Sequence, residues 1–284
     1  MSDQTSVEAV TTILPRRGWF DWRLAQLWRY RDLVSLFIWR DFVAVYKQTA
    51  LGPVWHILKP LLTSFVYMGV FAGVAKLSTD NIPSFLFYFS GTMIWTYFAT
   101  CLDNIAKAFV ANSHLLGKVY FPRLSIPASL VASNLVSFSI QFVMFLLVLA
   151  GFWWTGSSVH LTAWALLLPA LVAILAGFAL GFGAMLCAMT TRYRDFTYLV
   201  TFGTTLLMYM TPVIYPTSAV PHSLRWAAEL NPLTPVIEAF RLGFLGAGTV
   251  SPIRLVFSAL AMVVVLVVGI AMFSRAEQTA VDTL

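Results

Sequence analysis

Charge is scarce in this sequence. Only 11% of the 284 residues are Asp, Glu, Lys or Arg, whereas 59% are hydrophobic, and the mean hydropathy is +0.80. Soluble domains carry roughly a quarter of charged residues and are about half apolar. This composition excludes an ordinary soluble globular domain and predicts a polytopic membrane protein.

Motifs for catalysis and metal binding are also missing. The Gly117-Lys118 pair lacks the first glycine of a phosphate-binding loop, because Asn112 stands at that position. If ATP is used, it must therefore bind another chain. The sequence has no HExxH, no CxxC and no His/Cys cluster, so we expect no metal site, no cofactor and no enzyme activity in this chain. Cys101 and Cys187 are interpreted as buried apolar residues.

Long apolar runs make up most of what is present. A helix needs about 20 apolar residues to cross a bilayer core of about 30 Å. The runs lack the alternation of a membrane barrel, so helices are predicted. Six windows qualify: Val54–Ala75, Phe85–Phe109, Ile126–Trp154, Ala163–Thr190, Phe196–Ile214 and Ile253–Phe273.

The basic residues predict the orientation. With six spans, all but four of the 18 Lys and Arg residues fall on one side, the exceptions being Lys76, Arg225, Arg241 and Arg254. The positive-inside rule places that side, with both termini, in the cytoplasm. The net charge of +6 is thus a topology signal, and no nucleic-acid partner is expected. The predicted divisions are 1–50, cytoplasmic N-terminus and interface helix; 51–275, six-span domain; and 276–284, cytoplasmic tail.

The stretch from Arg40 to Pro60 changes from a charged segment to a membrane span at Gly52-Pro53. A partly amphipathic helix is predicted from Asp21 to about Lys47. Its Trp and Tyr residues favour the lipid headgroup layer, so this helix is expected to lie along the membrane. A plain membrane anchor is the alternative interpretation.

Two cytoplasmic turns and one outer region are unusual. The loop from Asn112 to Pro127 has an apolar ridge flanked by basic residues, which is typical of a short helix that fits a partner's groove, although a plain surface helix remains open. The turn Thr191–Phe196 is a second candidate contact. Outside, short apolar pieces between Pro212 and Pro252 are too short to span, and they predict re-entrant helices before the last span.

Aromatic residues are frequent in and beside spans one, two and five. Aromatic faces can stack on sugar rings and form a track of low specificity, whereas contact with lipid is the simpler explanation for any one of them. The candidates for a translocation path are Phe65, Tyr67, Phe71, Trp95, Tyr97, Phe98, Tyr209 and Tyr215.

Several motifs together resemble one transporter family. They are Arg40-Asp41, Tyr46, Gln48-Thr49, Leu51-Gly52, Trp55 and Pro60; Asn112, Leu115-Leu116, Lys118-Val119 and Tyr120-Phe121-Pro122-Arg123; Arg192-Tyr193-Arg194-Asp195; Met210 to Tyr215; and Asn231-Pro232. The chain is similar, from Arg31 to Phe273, to type 2 ABC exporter permeases for O-antigen, capsule and teichoic acid. Ala44 departs from the pattern, since many relatives carry a basic residue there.

The resemblance implies a homodimer of six-helix subunits in the inner membrane of a bacterium. Each subunit would dock on a separate ATPase subunit, which holds ATP and Mg²⁺, and would export an undecaprenyl-linked polysaccharide. The implied ATPase-coupling residues are Asn112, Leu115, Leu116, Lys118, Tyr120, Phe121, Arg123, Arg192, Arg194 and Asp195. The implied interface-helix residues are Arg29, Arg40, Asp41, Tyr46, Lys47, Gln48 and Thr49.

Other classes stay open at this point. An ABC exporter of a drug or small lipid would have the same fold. A secondary transporter or channel would need intramembrane coupling residues or an inverted repeat, and a membrane glycosyl-transferring enzyme would need paired carboxylates. Neither pattern is recognised in the sequence.

Overall fold

The computed structural model describes residues 28–47, 51–112, 121–193 and 195–283. These residues form helices joined by turns, and none of them lies in a strand. The α-helices are α1 Arg31–Tyr46, α2 Trp55–Tyr67, α3 Ser84–Ala106, α4 Ala108–Ala111, α5 Ser125–Trp154, α6 Leu168–Arg192, α7 Phe196–Met210, α8 Arg225–Leu230, α9 Thr234–Leu245 and α10 Pro252–Thr283.

The predicted all-α membrane fold is confirmed, with one shorter segment. Five helical stretches in the described residues are long and apolar enough to cross a membrane: Trp55–Val74, Ser84–Ala106, Ser125–Trp154, Ala163–Arg192 and Pro252–Ala276. The window Phe196–Ile214 is helical only to Met210. Its helix stops because Thr211 precedes Pro212, and a residue before proline is driven out of the α conformation; Thr211 accordingly adopts φ −103°, ψ 141°.

Helix α3 is the centre of the bundle. In its span 78% of the residues are buried, against 11% in the first span. It packs against α2, α5 and α6, and α6 in turn makes an extensive contact with α10. Helix α3 therefore has apolar residues on every side, as expected of a helix surrounded by other helices.

Glycines set the distance between α6 and α10. A Cβ on Gly181 would lie 2.8 Å from the Cα of Leu266, and a Cβ on Gly269 would overlap the backbone of Gly181. The small-residue face of α6, which includes Gly177 and Gly181, thus packs directly on α10. Such faces allow two helix backbones to approach closely in a membrane.

The described loops collect at two ends of the bundle. At the basic end, which carries Arg40, Asn112 and Arg192, the Thr190 hydroxyl donates to the Ala106 carbonyl at 2.6 Å. At the opposite end, here called the proline end, Ser218 donates to Asp80 at 2.7 Å. The turn between α2 and α3 therefore lies beside the loops around the short helices.

The short helices α8 and α9 lie at the proline end, as the proline-rich stretch predicts. Helix α9 is 12 residues long, too short to span, and nearly all of it is buried. Arg241 of α9 is 1% exposed; it donates to the carbonyls of Pro212 at 2.7 Å and Val213 at 2.8 Å. Arg241, one of the four basic residues assigned to the outer side, thus lies at this end with its side chain in the protein interior.

We predict that Gly181→Ala loosens the α6–α10 contact, because the added methyl meets backbone that cannot rotate away. Overpacking of this kind costs about 1–3 kcal/mol. Thermal unfolding of the detergent-solubilised protein should show a lower midpoint. Gly151→Ala in α5 is the matched control, since no atom lies within 4 Å of its added Cβ; equal midpoints for both variants would contradict the prediction.

We predict that Arg241→Met is more damaging. It leaves two buried carbonyls and the Glu238 carboxylate without their partner, and breaking a buried ion pair on one side costs about 3–5 kcal/mol. The same unfolding measurement applies. Arg225→Met is the control, because Arg225 lies exposed at the same end; an unchanged midpoint for Arg241→Met would show that the interior tolerates the loss.

Candidate coupling surface and translocation path

Part of the predicted coupling surface lies outside the described residues. This applies to Leu115, Leu116, Lys118, Tyr120 and Arg194, and to Gln48 and Thr49 of the interface segment. Tyr46 is described only as the last residue of α1. The roles of these residues stay predictions.

Asn112 marks the start of the loop and is held by two elements. It is 8% exposed and follows the short helix α4. Its side-chain amide nitrogen donates to the Ala108 carbonyl at 3.0 Å, and its backbone amide donates to the same carbonyl at 3.1 Å, so Asn112 is fixed at the end of the helix. Its side-chain oxygen accepts a bond from Arg40 of α1 at 3.4 Å. Helix α1 therefore contacts the beginning of the loop.

Phe121 lies at the other end of the same loop and also contacts α1. It is 6% exposed, and its ring packs edge-on against Phe37 with centroids 5.7 Å apart. Both rings belong to an apolar cluster with Phe109, Ile126 and Phe273. Helix α1 thus bridges the two ends of the predicted coupling loop, and it is held there mainly by ring packing.

Arg40 is oriented by three neighbours. Its guanidinium donates to the Asp41 carboxylate at 2.7 and 2.8 Å and lies 4.8 Å from the centre of the Phe37 ring. The bond to Asn112 is the longest of the set. A partly exposed ion pair adds little to the free energy of folding. The effect of the Arg40–Asp41 pair is to fix the direction of the guanidinium.

The second predicted turn follows α6. Arg192 is in the last turn of α6, and its guanidinium stacks 5.5 Å from the ring of Tyr193. Asp195 directly precedes α7 and is exposed. Arg29 and Lys47 are exposed as well. The described part of the basic end is therefore a cationic, polar surface with aromatic support, which suits contact with a soluble protein.

The eight aromatic candidates fall into two groups. Trp95, Tyr97 and Phe98 are buried at 7%, 3% and 0% exposure. They lie in α3, where Tyr97 packs on Phe138 with ring centroids 5.3 Å apart. In this conformation these three rings are part of the packed interior.

The other candidates line α2 and the end of α7. Phe65 and Tyr209 are 52% and 54% exposed. The Tyr67 hydroxyl reaches the Met208 sulfur at 3.8 Å, and the Tyr215 hydroxyl donates to the Tyr209 carbonyl at 2.9 Å. With Phe71, whose ring is 5.5 Å from that of Tyr67, Tyr67, Tyr209 and Tyr215 form an aromatic strip where the first span meets the end of α7. Phe65 instead packs against Phe85, with ring centroids 4.6 Å apart.

Sequence reasoning missed the pair formed by Glu238 and Arg241. Their charged groups are 3.6 Å apart and are 5% and 1% exposed. Arg241 also stacks on Phe87 at 3.8 Å, and Glu238 accepts a bond from the Thr249 amide at 3.1 Å. The available signal was an acid and a base three residues apart within an apolar piece of α9, a spacing that places both on one helix face.

Comparison with known proteins agrees with this arrangement. A family model described as ABC-2 type transporter matches residues 32–245. The chain is similar to the O-antigen export system permease protein RfbA of Myxococcus xanthus, with 32% identity over 77% of this chain and 82% of the relative. It is also similar to RfbA of Klebsiella pneumoniae, with 26% identity over 86% and 92%. The capsule polysaccharide export inner-membrane protein CtrC of Neisseria meningitidis serogroup B is 22% identical over 86% and 91%.

The match to the family model spans well over half of the sequence and includes α1, the predicted coupling loop, the turn after α6 and the short helices. The motif resemblance is confirmed at this level: the chain belongs to the ABC-2 type transporter family.

Proposed function

We propose that this chain is the permease subunit of an ABC exporter that moves lipid-linked polysaccharide of the O-antigen type across the inner membrane. The observation that carries the proposal is similarity over 86% of this chain and 92% of a permease named for O-antigen export. The multi-helix fold and the cationic end with a bridged loop agree with a transport subunit. The chain itself is not an enzyme in this proposal.

ATP hydrolysis is assigned to a separate ATPase dimer that also holds Mg²⁺. The partner would dock at the basic end, on the loop between Asn112 and Phe121 and on the turn from Arg192 to Asp195. This assignment is supported by the absence of a phosphate-binding loop from the sequence. It places the basic end and both termini in the cytoplasm, as the distribution of Lys and Arg predicts.

The loop between Asn112 and Phe121 is connected to the spans by specific contacts, through which its movement would reach the bundle. Asn112 ends α4, whose Phe109 ring stacks on Phe273 of α10 at 4.7 Å. The Thr190 hydroxyl joins the end of α6 to the end of α3. Because α6 and α10 are in close backbone contact, displacement of the loop is passed to two spans as one unit. Packed helices shift in this way as discrete bodies rather than bending gradually.

The proposed conduit runs between two copies of the chain. Within the described residues α7 buries only Val200, and α2 with its continuation to Val74 is mostly exposed. These two helices and the residues that directly follow them carry the aromatic strip of Tyr67, Phe71, Tyr209 and Tyr215. A second copy covering α2 and α7 would place two such strips face to face, and aromatic faces let successive sugar rings stack and slide. The lipid carrier proposed is undecaprenyl pyrophosphate or phosphate.

Depletion of this protein should cause undecaprenyl-linked glycan to accumulate inside the cell while surface polysaccharide falls. Purification of the tagged chain should recover an ATPase subunit. The lipid-linked material is measured by extraction and mass spectrometry, and a complementing plasmid is the control. Normal surface polysaccharide in depleted cells would contradict the proposed substrate, and recovery of a drug or small lipid as the accumulated species would replace it.

We expect Leu115→Asp to uncouple ATP hydrolysis from export, because a charge on the apolar ridge of the loop cannot enter an apolar groove of the ATPase. Hydrolysis by the reconstituted complex should continue while export falls at least tenfold. Leu161→Asp is the matched control, since Leu161 is exposed at the proline end. Full export by an assembled Leu115→Asp complex would contradict the coupling role.

A further inference from the structure

A cleft of about 750 Å³ lies at the proline end, and polar or charged residues form most of its lining. Its walls come from the turn Thr217–Ala219, helix α8, the start of α9 and the start of α10. Hydroxyl side chains supply much of its polar lining, namely Thr217, Ser218, Thr234, Thr249 and Ser251. Nothing in the proposed coupling or conduit uses these residues.

Thr234 indicates that the cleft is built for a ligand. It is 5% exposed, and its hydroxyl oxygen has no hydrogen-bond partner among the described residues. Burying an unpaired hydroxyl is unfavourable, and Thr234 lines the cleft. The oxygen itself has almost no exposed surface in this structure, so a polar group of a bound molecule would satisfy it once the Thr234 side chain rotates toward the cleft.

The other polar groups combine donors and acceptors. Arg254 pairs with Glu229 at 2.9 Å, and the hydroxyls of Thr217 and Thr249 are 3.1 Å apart. Arg225 adds a donor on the same wall. A phosphate site needs cationic donors that converge without competing carboxylates, whereas a polyhydroxyl ligand uses donors and acceptors together. The composition favours a sugar chain over a phosphate.

We propose that this cleft binds a short stretch of the carbohydrate chain as it leaves the permease. The inference rests on the proposed function and adds an exit-side binding site to it. The volume falls within the range of about 300–1,000 Å³ that is usual for ligand sites. Hydroxyl contacts without an aromatic platform give weak, exchangeable binding, which lets the chain advance.

Protection of a cysteine in the cleft tests the proposal in cells. Ser251→Cys places a thiol on the cleft wall, and Cys101 and Cys187 are fully buried, so they do not compete. We expect a membrane-impermeant maleimide to label Ser251→Cys at least threefold more slowly while the cell's own glycan is exported than after glycan synthesis is stopped. Adding Thr234→Val should remove most of that protection. Ser158→Cys, exposed at the same end outside the cleft, should label equally in both conditions.

The outcomes separate the cleft from the proposed function. Equal labelling of Ser251→Cys in exporting and non-exporting cells, with surface glycan normal, overturns the cleft and leaves the function intact. A further case is a cell that makes the lipid-linked first sugar but no sugar chain. If Ser251→Cys is still protected from the maleimide there, the cleft binds the lipid head group, and the proposal is overturned. If the impermeant maleimide labels neither Ser251→Cys nor Ser158→Cys, the cleft does not lie on the exit side of the membrane, and the proposal is overturned. Ser218→Cys provides a second position if Ser251→Cys does not assemble.

Discussion

The buried guanidinium of Arg241 connects α9 to the residues that follow α7 and lies against α3. Helix α7 stops before Pro212, so the carbonyls of Pro212 and Val213 have no partner within a helix, and Arg241 supplies both bonds. Gly91 of α3 makes room, because a Cβ there would lie 2.6 Å from the Val213 carbonyl oxygen and 2.9 Å from the guanidinium. The end of α7, the buried position of α9 and the glycine at position 91 of α3 therefore depend on one another.

The two ends of the bundle are held by different forces. Directional bonds to a buried charge hold the proline end, whereas α1 at the basic end is held against the loop by ring contacts such as Phe37 with Phe121 and by a long bond from Arg40 to Asn112. Ring packing tolerates small rotations that would break the carbonyl bonds of Arg241. In the proposed mechanism, a push on the loop between Asn112 and Phe121 would therefore rearrange the basic end before it disturbs the proline end.

Local sequence was enough for the spans and not for the interior. Length and hydropathy locate five long helices, and Pro212 explains why the helix in the remaining window, Phe196–Ile214, ends early. The environment of the aromatic residues in α3 could not be predicted, because a helix buried on every side has no polar face to indicate which rings are exposed. Trp95 and Phe98 are buried, whereas Phe65 of α2 is exposed. The Phe37–Phe121 contact joins residues far apart in the chain, and no local pattern encodes it.

Helix α9 connects the cleft to the Arg241 network. Thr234, in its first turn, lines the cleft, and Glu238, one turn later, pairs with Arg241 and also accepts the amide of Thr249. Thr249 in turn contacts Thr217 across the cleft. A sugar chain that displaced Thr249 would remove a bond from a buried carboxylate beside Arg241, and that charge can be compensated only by a tighter contact with the guanidinium. If the cleft holds the chain as proposed, its occupancy and the position of the end of α7 would be coupled through one short helix.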